Sequence, residues 1–540
     1  MKLQQLKERA WRHADSWIAG LLLLGYLTLL VATTGSLGFM RDEGFYFAAA
    51  RVYQGWFQLL LSQPGEALSQ AGIDRYWGVN HEHPSLLKSL FALSNLGLGG
   101  LFREVSLSFR LPAMLLSSLA VAVTYLWGRR HLGRDGALVA ALSFAFMPHV
   151  FFHAHLACFD MPVAAMWLIT GYVYTRSLET PRLGFILGAG VLYGLFLDTK
   201  HNSWIFPFAV LLHFGLTQGL PLLRELRARE KWWRRLPPAW ASMLLLGPLV
   251  LYALWPWLWH DTLPRLRDYV QFHMQHDYYN MEFLGRTYWQ PPFPRGYAWL
   301  MTLGTVPLVT LLLAALGSAL VITRHRANSD YVFWGVSILL SYAPWLSTST
   351  PIFGGTKHWL TAYPFLCLLA GVGFVRVKQA LGELLPRYRL GMVAAVCVLL
   401  GPVVMALRVH PFGLSAYTPL VGGAPGAASL GLNRTFWGYT TQSLAPFIDE
   451  SAPRRGTVYV HDTALQSFAM FQEDGRLRPD LRGSLNIAAS DVALYHHEPH
   501  MSRVEHQIWV DYKNISPGAI TTFDGVPIAW AYRRSEAARR

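Results

Sequence analysis

The chain has 540 residues, of which 53% are hydrophobic and only 14% charged, with 21 tryptophans and a formal net charge of +14. A soluble protein of this length carries more charge and lacks repeated apolar runs of about 20 residues, so the composition describes a polytopic membrane protein. The positive balance does not point to nucleic acid, because Lys and Arg collect in short loops between apolar spans, as cytoplasmic loops do.

Lys2, Lys7, Arg9 and Arg12 precede a first apolar span over residues 17–36. That span is long for a signal-peptide core and reads as an uncleaved transmembrane helix with a cytoplasmic N-terminus. Gly38-Phe39-Met40-Arg41-Asp42-Glu43-Gly44-Phe45-Tyr46 follows at once. Adjacent acids at the mouth of a membrane helix are costly, and such residues are functional candidates. Residues 38–109 form a long first outer loop with amphipathic pieces, such as 45–61, that lie at the membrane surface. The apolar stretch 86–102 is read as juxtamembrane, since a span there would turn every later basic loop outward.

Further spans are expected at 111–128, 137–148, 161–174, 183–197, 204–216, 240–259, 297–321, 331–346, 358–375 and 390–407, about eleven in all. The cytoplasmic turns between them carry Arg129, Arg130 and Arg134; Arg176 and Arg182; Arg224, Arg227, Arg229, Lys231, Arg234 and Arg235; Arg324 and Arg326; and Arg376, Lys378, Arg387 and Arg389. Residues 1–409 thus make a membrane domain. From about His410 the runs shorten, and residues 410–540 read as a small soluble α/β domain outside the cytoplasm. Its strand candidates are 457–460 and 507–510, its helix candidate is 464–472, and 525–527 reads as a turn. Cys158, Cys367 and Cys397 lie in or beside apolar segments, which leaves no disulfide framework and no metal-ligand spacing.

With this topology the costly polar residues gather on the outer face: Asp42, Glu43, Glu82, His83 and Lys88 in the first loop, then His149, His153, His155 and Asp160. Lys200, His201 and Asn202 follow at the next outer turn, then Arg265, Arg267, His273, His276, Asp277 and Arg286, and finally Lys357 and His358. A carboxylate beside several cations at a lipid–water boundary suits transfer from a lipid phosphate. The cations hold the phosphate as its bond to a sugar breaks, and the carboxylate takes the proton of an incoming hydroxyl. A phosphate leaves readily as an anion, so the scheme calls for no cofactor and no metal, and His81-Glu82-His83 is too tight for a helical zinc motif.

Asp42-Glu43 and His83-Pro84-Ser85-Leu86-Leu87-Lys88 resemble motifs of the dolichyl-phosphate-mannose–protein mannosyltransferase family and its bacterial relatives, among them the aminoarabinose transferases that modify lipid A. Phe159-Asp160-Met161-Pro162 and Gly194-Leu195-Phe196-Leu197-Asp198-Thr199-Lys200 extend the resemblance, in the same order along the chain. The chain departs at Ser85, where the family has a second Pro, at Leu87, where it has Gly, and at His83, where the arabinose-transferase relatives have Lys. The resemblance implies a bacterial GT-C membrane glycosyltransferase of the inner membrane with its active site and C-terminal domain in the periplasm. It further implies a polyprenyl-phosphate sugar donor, inversion at the anomeric carbon, and an acceptor on protein, lipid A or another envelope glycan. By that carry-over Asp42 is the general base and Glu43 positions the acceptor or the base. His83, Lys88, Lys200, His201 and Arg286 are donor-phosphate candidates, and Tyr46, Glu82, Asp160, Lys357 and His358 line the substrate site.

A transporter or flippase of lipid-linked glycans is the alternative. It predicts charges at mid-helix and broken helices in paired halves, whereas here the charges collect at helix ends and no long internal repeat is found. A membrane-anchored binding protein working through its tail leaves Asp42, Glu43 and Lys200 without a purpose.

Overall fold

A computed structural model of the protein describes residues 2–228, 231–324, 328–350, 352–386 and 391–535. Arg229, Arg326, Arg387, Arg389 and residues 536–540 lie outside these, as do the side chains of Lys2, Lys7, Arg9, Arg12 and Arg324. The protein is a helical membrane protein with a small C-terminal sheet region. Among the described residues five helices are long and apolar enough to cross a bilayer: Ala14–Ser36, Val105–Ala145, His201–Arg227, Gly355–Leu384 and Gly391–Val409. A bent pair, Tyr297–Thr305 and Leu308–Thr323, makes a sixth if taken as one span. Leu183–Leu197 and Pro238–Leu254 are apolar but shorter, so the expected count of about eleven includes helices below the usual spanning length.

Two spans differ from expectation for local reasons. Val105–Ala145 holds two expected spans in one run, broken only at Gly133, whose φ of 70° and ψ of −178° suit glycine alone. A Cβ placed on Gly128 would lie 3.4 Å from Ala137. Nine residues of straight helix cover about 13.5 Å, so the chain reverses at Gly133. The expected span 297–321 is instead bent by 119°. Val306 there is extended, and Pro307, which follows, offers no N–H and disfavours helix in its predecessor.

Polar residues meet in two layers at opposite ends of the bundle. In one, Asp15 accepts from Arg134 at 2.8 Å and meets Arg129 at 3.1 Å, while His131 contacts Asp330 at 2.6 Å and Lys378 pairs with Asp135. In the other, the first loop folds into helices Arg41–Ser62, Gln70–Trp77 and Leu86–Leu98. The loop expected at 260–295 contains a helix, Thr262–Met274, and a hairpin of β1 (Met281–Phe283) and β2 (Arg286–Tyr288).

Over these lies the C-terminal sheet, built from β3 (Thr457–Tyr459), β4 (Arg482–Ser484), β5 (Val492–His496), β6 (Ala519–Phe523) and β7 (Val526–Arg533) in the order β4-β3-β5-β7-β6. β3 runs parallel to β4 and β5, and β7 antiparallel to β5 and β6. The helix expected at 464–472 is present as Leu465–Glu473. The strand expected at 507–510 is wrong: helix Ser502–Tyr512 covers it, and Val504, Ile508 and Tyr512, four apart, pack on the sheet. The turn expected at 525–527 sits earlier, at Asp524 (φ 47°) and Gly525 (φ 76°), and Val526 and Pro527 already belong to β7.

Candidate active site

Helix Arg41–Ser62 places both acids of the opening motif in its first turn. Free backbone N–H groups and the helix dipole favour carboxylates there. The two acids then part. Glu43 is fully buried and folds back to accept from its own N-cap, Met40 N, at 3.1 Å. Its two oxygens take Nε and Nη2 of Arg110, each at 2.8 Å, and Oε1 also takes Ala157 N at 2.9 Å. All its capacity is spent on holding the first loop to the helix Val105–Ala145. Asp42 points the other way, into a cavity of about 450 Å³, where Lys357 Nζ lies 3.3 Å from its Oδ2.

The cavity brings together most of the expected site. Asp42, Tyr46, Glu82, His83, Asp160, Lys200, His201, Lys357 and His358 all line it. Lys200 Nζ reaches Asp160 Oδ1 at 2.6 Å, and Tyr46 stacks on Phe159 with centroids 4.1 Å apart. His83 is held far below the ordinary histidine range by burial first and then by Lys88 and His273. It is a neutral imidazole at pH 7, a hydrogen-bonding group rather than the cation expected.

Three expected residues are not on the cavity wall. Glu43 is spent on Arg110. Lys88 is buried and donates to the carbonyls of Asn80 and, at 2.9 Å, of His83; burial pulls its amine down to about 7. It shapes the loop that carries His83. Arg286 is exposed on β2, away from the cavity lining. Of the other outer-face residues, Arg265 binds Trp257 O at 2.8 Å and stacks on its ring at 3.8 Å, while His149 and His155 bond to Thr356 and Thr33 at 2.8 Å.

Several lining residues went unread. Arg41, within the opening motif, also lines the cavity. Glu282, Trp437, Glu498 and His500 complete the wall from the hairpin and the C-terminal region, and nothing short-range in the sequence marks them. Arg110 did leave a signal: it is a lone arginine in an apolar run, and such a residue implies a buried partner.

Residues 93–257 match the sequence profile of the family described as dolichyl-phosphate-mannose-protein mannosyltransferase, which meets the resemblance carried by the motifs. The matched stretch is less than a third of the chain; it includes 159–162 and 194–200 but neither Asp42-Glu43 nor the 83–88 motif. Among solved structures, ArnT from Cupriavidus metallidurans in the apo state is 14% identical, with a TM-score of 0.49 over 96% of this chain and 98% of that one. The archaeal oligosaccharyltransferase AglB from Archaeoglobus fulgidus is 11% identical, with a TM-score of 0.43 over 72% of this chain and 56% of that one. The arabinosyltransferase EmbB from Mycobacterium smegmatis is 13% identical, with a TM-score of 0.40 over 85% of this chain and 40% of that one. No curated protein matches the chain by sequence.

Proposed function

We propose that the protein transfers a sugar from a polyprenyl phosphate to an acceptor hydroxyl on the outer face of a bacterial inner membrane, with inversion and with Asp42 as general base. The observation that carries this reading is one cavity holding Asp42 beside Lys357, with Lys200 in the same chamber. The family match supports the chemistry. Asp42 takes the acceptor proton as the hydroxyl oxygen bonds to the anomeric carbon. The bond from that carbon to the phosphate oxygen breaks, its electron pair leaves with the polyprenyl phosphate, and Lys200 and Lys357 neutralise the growing charge. His83 and His201 serve as neutral partners to the phosphate or the sugar hydroxyls. Glu43 positions the base by fixing the start of its helix, and Lys88 positions His83. Arg286 has no place in the reaction.

Asp42→Asn keeps shape but cannot accept a proton, and a positioned base contributes about 10²–10⁴-fold in rate. The variant should insert normally, bind undecaprenyl phosphate as the parent does, and lose that factor in transfer. Mass spectrometry of envelope protein and lipid glycans from a deletion strain, complemented with parent or variant, reads the loss and identifies the product. Parental product levels with Asp42→Asn would remove Asp42 as base and with it the proposed reaction.

A further inference from the structure

The cavity contains an electrostatic problem that the reaction does not by itself solve. Asp42 has a cation on either side, Arg41 next to it in sequence and Lys357 across the chamber. Either could close on the carboxylate as a tight ion pair and occupy the lone pair that must take a proton. In this structure Lys357 gives Oδ2 only a long hydrogen bond, 3.3 Å, and Arg41 stays 4.0 Å from Oδ1; in both cases what restrains the cation comes from the C-terminal region.

Arg41 gives Nη1 to Asp462 at 2.7 Å, which leaves its Nε 4.0 Å from Asp42. Asp462 is only 4% exposed and sits in the turn that follows β3. Lys357 Nζ lies 3.8 Å from the centre of the Trp437 ring while donating to Asp42 Oδ2 at 3.3 Å, so the ammonium is shared between ring and carboxylate. Trp437 holds φ at 67°, a conformation unfavourable for a bulky residue and kept only where the surroundings enforce it. The enforcing contacts are at hand. Arg41 N donates to Trp437 O at 3.0 Å, Ser467 Oγ to Met40 O at 2.7 Å, and Arg476 Nη1 to Leu37 O at 2.8 Å. At Gly38 a side chain would overlap the Tyr439 carbonyl, so the segment bearing Asp42 can lie flush against this region.

We propose that the C-terminal region is a working part of the active site, in which Asp462, through Arg41, and Trp437, through Lys357, keep two cations from closing tightly on the base and quenching it. The inference rests on the reading of Asp42 as that base, and both residues are positioning residues.

The test measures Asp42 itself as well as turnover. Full-length protein in detergent is treated with a carbodiimide and an amine, and the rate of modification at Asp42 is followed by peptide mass spectrometry. In Asp462→Asn, Arg41 should close on Asp42 and slow its modification about fivefold, with transfer falling at least about tenfold. Arg41→Gln added to Asp462→Asn should return modification to the parental rate. Trp437→Leu should slow modification through Lys357, and Trp437→Phe should restore it in part. If the C-terminal region merely packs on the membrane part, the same substitutions loosen the segment and modification speeds up. Faster or unchanged modification in both Asp462→Asn and Trp437→Leu overturns the proposal. If the parent transfers no sugar at all, the proposed function fails while the modification rates still decide the positioning.

Discussion

At the scale of single residues, the sequence shows which side chains are expensive but not which partners they meet. Asp42 and Glu43 are neighbours in the chain and identical in kind, yet one faces the cavity and the other is sealed against Arg110, 67 positions away. Helix geometry separates adjacent side chains by about 100°, so their division was foreseeable, while the choice between them depended on Arg110 and Ala157. Lys200 was legible as a candidate cation, but its pairing with Asp160 at 2.6 Å was not. That pairing sharpens a prediction. Lys200→Ala should weaken donor binding, and should also destabilise the protein by leaving Asp160 buried and unpaired, by less than the about 3–5 kcal/mol of a sealed pair because both line the cavity. Asp160→Ala added to Lys200→Ala should recover melting temperature in detergent without recovering binding of undecaprenyl phosphate. Lys200→Arg should keep part of the binding. Full binding by Lys200→Ala would leave the lysine a structural partner of Asp160 and nothing more.

At the scale of elements, apolar runs located helices, and Leu183–Leu197 agrees with the expected run to the residue, although it is shorter than a usual span. Alternating β-branched and aromatic residues misled at 507–510, where the deciding contacts are four apart and reach back to Val504. Helix contacts were also hidden. A Cβ on Gly317 would overlap the Leu369 carbonyl oxygen, and one on Gly373 the Leu313 carbonyl oxygen. Helices Leu308–Arg324 and Tyr363–Leu384 therefore pack backbone to backbone, as small residues allow in lipid. Gly317→Val or Gly373→Val should cut the yield of folded protein sharply, whereas Gly219→Val, with nothing within 4 Å, should leave it near the parental value; fluorescence-detected gel filtration reads this directly. The C-terminal sheet carries a second prediction. His461 and His496 are stacked with centroids 5.5 Å apart, and burial pushes His461 well down and His496 to about 3. Their folded values lie below the unfolded value of about 6.5, so the unfolded state binds protons first as pH falls. Stability is thus complete above about 6.5 and falls below it, by about 1.4 kcal/mol per unit for each histidine. A melting temperature that holds steady from pH 7 to 5 would contradict this, and His496→Gln should flatten the slope.

At the scale of the whole molecule, two polar layers bear on a sidedness that no single loop decides. The layer holding Asp15, Arg129, Arg134, Lys378 and Asp330 is the one whose loops carry the excess of Lys and Arg, and the proposed reaction on the outer face requires it to be the cytoplasmic one. The C-terminal region packs on Leu37, Met40 and Arg41, at the far end of the first helix from Asp15. If Ala14–Ser36 crosses the bilayer, that region is expected on the side opposite the N-terminus, with an odd number of crossings between them. Under that expectation Val105–Ala145, which reverses at Gly133, counts as two crossings and the bent pair after Tyr297 as one. This sidedness can be checked with thiols. Cys158 and Cys367 are buried and Cys397 is exposed, so a Cys397→Ser background is silent to a membrane-impermeant maleimide. In spheroplasts, Arg503→Cys should label without lysis, and Lys231→Cys only after it; both positions are exposed. Labelling of Lys231→Cys in intact spheroplasts would turn the basic layer outward. The cavity with Asp42 would then open to the cytoplasm, where the proposed acceptors on the cell envelope are not found.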